Sequence, residues 1–128
     1  MEYQRVSSES LEASSHPRIV SELISVVMPV RDGLPLLRIA LPSVIDAVRA
    51  DGNAELVVVD NGSMDGACEY LQSTLISDGR VISYSGVRVG EVRNMGVRAA
   101  SGALLVFLDA DCLVKRDYLS HIRRVFAE

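Results

Sequence analysis

Short apolar runs alternate with amphipathic runs along most of this chain, and that alternation limits its fold more than any other feature. Four runs have the length and the β-branched, apolar composition of strands, at residues 23–28, 55–60, 81–84 and 104–108. Segments with helical spacing follow them, at 36–50, after Ser63, at 89–101 and at 118–126. Repeated strand–helix units predict an α/β fold of three layers (α/β/α), in which helices cover both faces of a Rossmann-like parallel sheet.

Prolines, glycines and one serine add local expectations. Pro29 should end the first strand and Pro42 should kink or split the first helix, because proline lacks an amide N–H. Ser63 is expected to cap the second helix. Gly96, inside the third helix, indicates close packing against the fourth strand, and Gly102 is expected to end the third helix.

Composition excludes some classes of partner and indicates a compartment. The net charge is -4 over 128 residues, with dispersed lysines and arginines, whereas nucleic-acid-binding surfaces usually show a basic patch. We therefore expect no nucleic-acid partner. Cys68 and Cys112 lie far apart, and a disulfide framework would need more cysteines. This predicts reduced thiols and a cytoplasmic protein, with the cytoplasmic face of a membrane as a second location for a full-length form.

The first residues differ in character from the rest of the chain. Residues 1–18 are polar and Ser-rich, and they lack the basic and apolar regions of a signal peptide. We predict a disordered lead over 1–18 and one domain over 19–128.

Polar residues cluster directly after each predicted strand. Because the carboxyl ends of parallel strands lie along one edge of a sheet, where α/β proteins bind ligands, these clusters should converge on one cleft. They comprise Arg31, Asp32 and Gly33 after the first strand, Asp60, Asn61, Gly62 and Ser63 after the second, Ser85, Gly86 and Arg88 after the third, and Asp109 and Asp111 after the fourth.

Asp109 and Asp111 have the most specific chemistry. In an extended segment, residues two apart point the same way, so the two carboxylates would face one small volume. A divalent cation would relieve their repulsion, and Mg²⁺ and Mn²⁺ bind carboxylate together with phosphate oxygens. Such an ion would help a diphosphate to leave. The alternative is a pair of surface aspartates that end a strand, which a bare D-x-D pattern does not exclude.

Asp60 and Arg93 each have a functional and a structural interpretation. Asp60 at a strand tip is suited to accept hydrogen bonds from a base or a ribose, although the three residues after it have the composition of a simple turn. Arg93 would reach a phosphate near the start of its helix, or would be a solvated surface residue. No P-loop and no G-x-G-x-x-G pattern is present, which excludes those phosphate-binding loops.

Four sequence blocks together resemble the GT-A family 2 glycosyltransferases in order and spacing. They are ISVVMPVRD at 24–32, ELVVVDNGSMDG at 55–66, VRNMGV at 92–97 with ASG at 100–102, and VFLDADC at 106–112. Each block alone is a weak signal. The four in register extend the resemblance over about residues 23–118, most of the chain.

The resemblance implies the nucleotide-binding half of an inverting, metal-dependent glycosyltransferase. Its donor would be a nucleotide-diphosphate sugar, with a UDP-sugar as the default, its cofactor Mn²⁺ or Mg²⁺, and its acceptor is open. The segment 29–32 would lie along the base, and Asp60 with Asn61 would hold base and ribose. The implied nucleotide-sugar-binding residues are Pro29, Val30, Arg31, Asp32, Asp60, Asn61, Ser63, Arg88, Arg93, Asp109, Ala110 and Asp111, with Asp109 and Asp111 also at the metal.

Several positions depart from the family pattern. Arg31 and Asp32 stand where Tyr-Asn is frequent, and Cys112 replaces a common acidic residue. Asn61 stands where an aspartate reads uracil in some members, so the base stays open among UDP, GDP and dTDP. The family's general base lies well beyond D-x-D. We therefore expect it after Glu128, and expect this chain to bind the donor without transferring sugar.

Two other functions fit the residues less well. A non-catalytic binding or scaffold module with a degenerate GT-A fold would lack metal-dependent nucleotide affinity, and the presence of both Asp109 and Asp111 argues against it. A nucleotidyltransferase would need an early Gly-rich basic loop, which residues 30–33 do not provide. With the acceptor-binding half missing, we expect an exposed edge at the fourth strand and the last helix that favours a dimer.

Overall fold

A computed structural model describes residues 2–5, 21–86 and 88–127 of the chain. Its elements are β1 Glu2–Arg5, β2 Ile24–Val30, α1 Leu34–Asp51, β3 Ala54–Asn61, α2 Ala67–Thr74, β4 Arg80–Tyr84, α3 Val89–Ala99, β5 Leu104–Phe107 and α4 Tyr118–Ala127. The sheet has the order β1-β5-β2-β3-β4, in which β5, β2, β3 and β4 run parallel and β1 runs antiparallel to β5. The predicted parallel α/β sheet is confirmed.

Helices cover the sheet on both faces. Helices α1, α2 and α4 pack on one face through a core that includes Leu41, Leu71 and Leu119. On the other face, α3 packs over a smaller cluster formed by Val27, Leu105 and Phe107. The central strands are therefore apolar on both sides, which explains why their sequences read as continuous apolar runs.

Proline is tolerated in β2 and in α1 for different reasons. Pro29 lies inside β2, opposite Val59, so the expected strand end at Pro29 is wrong. The last hydrogen bond between β2 and the β5 side runs from the Leu108 N–H to the Val27 carbonyl. The nitrogen of Pro29 faces the same side, beyond that last bond, so the N–H that proline lacks is not needed there. Pro42 does not split α1. It lies on the exposed side of the helix, where solvent can hydrogen-bond the backbone carbonyl that the missing proline N–H leaves unpaired.

The N-terminal segment differs from the predicted disordered lead. Its residues Glu2–Arg5 form β1, which pairs with β5, while residues 6–20 lie outside the described part of the chain. A polar strand is sufficient there, because backbone hydrogen bonds alone satisfy an open sheet edge. The edge of β5 that was expected to favour a dimer is therefore covered by β1.

Two glycines stand where a neighbouring segment approaches the backbone closely. A Cβ atom at Gly96 would overlap Val27 and lie 3.4 Å from Val59, so Gly96 faces β2 and β3 and not the fourth predicted strand. Helix α3 ends at Ala99, before Gly102. A Cβ at Gly102 would lie 2.6 Å from the carbonyl oxygen of Leu23, so close approach, not helix termination, accounts for this glycine. In the described part of the chain, no helix has both the length and the apolarity required to cross a bilayer.

Candidate functional site

Two cavities lie at the carboxyl edge of the parallel sheet and share Pro29 and Arg31. Both residues belong to the segment that leaves β2, so this segment separates one cavity from the other. The larger cavity, of about 710 Å³, is lined by Pro29, Val30, Arg31, Asn61, Gly86, Arg88 and Val92. The smaller, of about 360 Å³, is lined by Pro29, Arg31, Asp32, Gly33, Leu36, Asp109, Ala110 and Asp111.

The register of the sheet explains why residues so distant in sequence meet here. Val30 pairs with Asp60, and Asn61 pairs with Tyr84, so the ends of β2, β3 and β4 are level. Strand β5 ends three residues earlier along β2, at the pair of Val27 and Phe107, which leaves room for the loop that follows it. Three predicted residues, Asp60, Ser63 and Arg93, do not line either cavity.

Asp60 and Ser63 instead build the loop after β3. The Asp60 side chain is 2% exposed, and its carboxylate accepts hydrogen bonds from the Ser63 N–H at 3.1 Å and from the Ser63 hydroxyl at 2.6 Å. The hydrogen bond between Asp60 and a base or a ribose stays a prediction. Ser63 also does not cap α2, which begins four residues later at Ala67 after a left-handed Gly66.

A reciprocal pair of hydrogen bonds joins the loop after β2 to the loop after β3. The Asp32 N–H donates to the Ser63 hydroxyl at 2.8 Å, and the Met64 N–H donates to the Asp32 carboxylate at 2.7 Å. Asp32 has a φ of 57°, a left-handed conformation that aspartate adopts more readily than most residues. These bonds fix the turn that positions Arg31 between the two cavities.

Asp65 anchors two helices at once, a role that the sequence analysis did not find. Its carboxylate accepts a hydrogen bond from the Leu34 N–H at 2.9 Å, at the start of α1, and from the Ala67 N–H at 3.0 Å, at the start of α2. The bond from Leu34, followed by that from Ala67, holds the pKa of Asp65 below its usual value. The contact with α1 crosses 31 residues, so no local sequence pattern indicates it.

Asp109, Asp111 and Cys112 come together in a turn, not in the expected extended segment. The turn is closed by a hydrogen bond of 3.1 Å from the Cys112 N–H to the Asp109 carbonyl. One ligand atom from each of the three residues lies within 4.8 Å of the other two. Asp109 and Asp111 are exposed and Cys112 is half-buried, so an ion would have access from solvent.

Arg93 lies on the α3 side of the sheet. Its guanidinium is 5.9 Å from the centre of the Phe107 ring, a cation–π distance. Phe107 is the last residue of β5, so Arg93 packs beneath the loop that contains Asp109.

Arg31 and Arg88 differ from Arg93, because both are exposed and line the larger cavity. Gly33, Leu36, Gly86 and Val92 are cavity residues that were not among the assigned binding residues.

Sequence comparison places this geometry among known proteins. The family model described as "Glycosyl transferase family 2" matches residues 25–128. Glycosyltransferase AglE of Haloferax volcanii is 32% identical over 105 residues, which cover 75% of this chain and 33% of that protein. Glycosyltransferase GlyA of Streptococcus pneumoniae is 30% identical over 112 residues, which cover 86% of this chain and 16% of that protein. The chain therefore spans a third or less of the length of these relatives.

Solved structures share the same fold. The mannosyltransferase PcManGT of Pyrobaculum calidifontis, solved in complex with GDP-Man and Mn²⁺, superposes with a TM-score of 0.72 at 21% identity over 88% of this chain and 38% of that one. S. aureus TarS 1-349, solved in complex with UDP-GlcNAc, gives 0.71 at 21% identity over 80% of this chain and 30% of that one. At this identity the likeness establishes the fold of the domain.

Proposed function

The chain belongs to glycosyl transferase family 2, and from that membership we propose that it binds a nucleotide-diphosphate sugar, with a UDP-sugar as the first candidate, as the donor for an inverting, metal-dependent transfer. The acceptor stays open. The proposal places the protein in the cytoplasm or at the cytoplasmic face of a membrane, where nucleotide sugars are the available donors.

The pair of cavities that meet at Pro29 and Arg31 is the observation that supports this proposal most directly. A nucleotide diphosphate has a flat base and a ribose at one end and a charged diphosphate at the other. The larger cavity offers the apolar surfaces of Val30 and Val92 together with the Asn61 side chain, a combination that suits a base. The smaller offers two carboxylates, a combination that suits a metal-bound diphosphate.

Arg31 is positioned to bind the part of the ligand that joins these two ends. It lines both cavities and is exposed. A guanidinium there would pair with phosphate oxygens, and Arg88 would add a second positive charge at the larger cavity. Asn61 offers both a donor and an acceptor in its amide, so it would read the edge of a base differently from the aspartate common at that position.

The donor atoms at the smaller cavity fit a divalent ion. Asp109 and Asp111 supply carboxylate oxygens within 4.8 Å of each other, and both are exposed. We propose Mn²⁺ or Mg²⁺, because these ions take one or two carboxylates and complete their shell with phosphate oxygens and water. When bound, the ion would neutralise charge on the leaving diphosphate. With these carboxylates assigned to the metal, we place the general base outside the described residues.

Calorimetric titration of UDP into the chain, first with Mn²⁺ and then with EDTA, tests the proposal. We expect binding that needs the metal and that is lost in Asp111→Ala. Asp46→Ala is the matched control, because Asp46 is an exposed carboxylate on α1 that lines neither cavity. It should bind UDP as the unmodified chain does.

Nucleotide binding that is as strong in EDTA, or in Asp111→Ala, as in the unmodified chain with Mn²⁺ would contradict the metal assignment. If a folded sample binds none of UDP, GDP and dTDP, with or without Mn²⁺, the donor-site proposal fails. That result would favour a scaffold module with a degenerate site.

A further inference from the structure

Cys112 adds a sulfur atom to the two carboxylates at the smaller cavity. We propose that Cys112 is a third protein ligand of the metal, and that its sulfur shifts the preference of the site from Mg²⁺ toward divalent ions that accept thiolate, such as Co²⁺, Zn²⁺ and Cd²⁺. This inference rests on the proposed function, because it adds a ligand to the metal site proposed there.

The geometry permits one ion to contact all three residues. The Cys112 sulfur and one oxygen from each of Asp109 and Asp111 lie within 4.8 Å of one another. In tetrahedral coordination, metal–sulfur bonds of about 2.3 Å and metal–oxygen bonds of about 2.1 Å place neighbouring donors about 3.5 Å apart. Small rotations of the exposed carboxylates close the remaining difference.

The sulfur atom is the best fixed of the three donors. Cys112 is half-buried and packs against the main hydrophobic core, whereas Asp109 and Asp111 are exposed. The hydrogen bond from the Cys112 N–H to the Asp109 carbonyl also fixes the backbone between the donors. The carboxylates would therefore move toward an ion whose position the sulfur helps to set.

The chemistry of sulfur makes this arrangement selective. Mg²⁺ prefers oxygen donors and six-coordinate geometry, so it would gain little from a thiol, and the Mg²⁺ site would consist of the two carboxylates. Ions later in the first transition series bind thiolate more strongly than Mg²⁺ and Mn²⁺ do. On binding such an ion, the Cys112 thiol would lose its proton to solvent and form a metal–sulfur bond.

Cys68 provides a matched control. It is also a half-buried free cysteine, and its sulfur lies 3.3 Å from the Ser83 hydroxyl, away from the carboxylate group. Among the described residues, Asp109, Asp111 and Cys112 form the group that has metal-ligand proximity. A signal that depends on Cys112 and not on Cys68 therefore reports a sulfur ligand at the metal, not thiol content.

The test is a titration of Co²⁺ into the full chain in the presence of UDP, followed by absorption spectroscopy and calorimetry. A sulfur-to-cobalt charge-transfer band in the near ultraviolet should appear in the unmodified chain and in Cys68→Ser, and be absent in Cys112→Ser. Affinity for Co²⁺ should fall by on the order of tenfold in Cys112→Ser, while affinity for Mg²⁺ changes less than about twofold.

Three other outcomes separate this inference from the function on which it rests. Co²⁺ binding that needs Asp111 but gives no charge-transfer band would overturn the sulfur ligand and leave the metal site in place. A band that persists in Cys112→Ser and disappears in Cys68→Ser would also overturn it. If Co²⁺ does not bind a folded sample at all, both the inference and the proposed metal site fail.

Discussion

The two edges of the parallel sheet differ in whether their charged side chains form ion pairs. At the amino edge, where the strands begin, charged side chains are paired with one another, and one of these pairs is buried. At the carboxyl edge, where the strands end, Arg31, Asp109 and Asp111 are exposed and line a cavity. The paired charges stabilise the domain, whereas the charges at the carboxyl edge are accessible to a ligand.

A buried ion pair joins the last helix to the amino edge. The Arg123 guanidinium donates two hydrogen bonds of 2.7 Å to the Asp51 carboxylate, with side chains 10% and 3% exposed. It also donates to the carbonyl oxygens of Glu22 and Asn53, at 2.7 and 2.9 Å. These bonds tie α4 to the end of α1 and to the start of β2 and β3.

Glu55 forms the second paired group at this edge. Its carboxylate accepts hydrogen bonds from the Ser25 hydroxyl at 2.5 Å, from the Ser101 N–H at 2.6 Å and from the Arg80 guanidinium at 2.9 Å. The Ser25 hydroxyl in turn accepts one from the Gly102 N–H at 2.8 Å. One carboxylate thus connects β2, β3, β4 and the loop before β5.

The carboxyl edge lacks such pairing. In the described part of the chain, no hydrogen bond or ion pair engages the side chains of Arg31, Asp109 and Asp111. The carboxylate oxygens of Asp109 and Asp111 lie within 4.8 Å of each other, so a bound cation would reduce their mutual repulsion. The hydrogen bonds at this edge instead fix the loops, through Asp32, Ser63 and Asp65. A site that is left unsatisfied in this way is typical of a functional edge.

The largest effect should come from breaking the buried pair. Arg123→Met leaves Asp51 buried without its counter-charge, which should lower the free energy of unfolding by about 3–5 kcal/mol. Urea denaturation measures the change. Arg49→Met is the matched control, because Arg49 pairs with Asp78 at the same 2.7 Å but is 62% exposed. Its loss of stability should be much smaller, because solvent screens an exposed pair. Equal losses in the two variants would contradict the contrast between buried and exposed pairs.

Acid should weaken the amino edge. Burial works against ionisation of Asp51 and Glu55, but the hydrogen bonds and charge of Arg123 outweigh it for Asp51, and the bonds from Ser25 and Ser101 with the charge of Arg80 outweigh it for Glu55. The pKa of each carboxyl is therefore lowered. A lowered pKa contributes stability that is present above the unfolded value, about 4, and is lost as pH falls through the folded value.

Urea midpoints measured from neutral pH to below pH 4 check this expectation. The urea midpoint of the unmodified chain should stay constant down to about pH 4 and then fall progressively. In Arg123→Met the loss should be shallower, because Asp51 no longer has a partner that lowers its pKa. A steeper acid dependence in the variant would show that other groups dominate.

The smallest change in stability should follow substitution at the open edge. Asp111→Asn removes one of two close like charges that have no partner among the described residues, so the free energy of unfolding should change by no more than about 0.5 kcal/mol. The same substitution should abolish metal-dependent nucleotide binding. Parallel denaturation and calorimetry measure both. A large loss of stability would show that Asp111 supports the fold, and would weaken the contrast between the edges.

The sequence was sufficient to predict the parallel sheet. The sequence signal for a strand is local. Strands β2, β3 and β5 appear as continuous apolar runs because they are buried on both faces. The same reasoning placed the polar loops on one edge, since the carboxyl ends of parallel strands coincide whatever the details of packing. Most of the residues named for the site, among them Arg31, Asn61 and Asp109, accordingly line the two cavities.

The tertiary structure determines which partner each side chain has. Ser63 and Asp65 both suit a helix cap by their type, yet Ser63 bonds to Asp60 and Asp65 reaches a second helix across 31 residues. Gly96 and the pair of Arg123 with Asp51 likewise depend on which strand or helix lies opposite. Local sequence fixes which elements form and in what order, because periodicity acts within a single segment. Contacts between segments depend on register and distance, which exist only once the chain has folded.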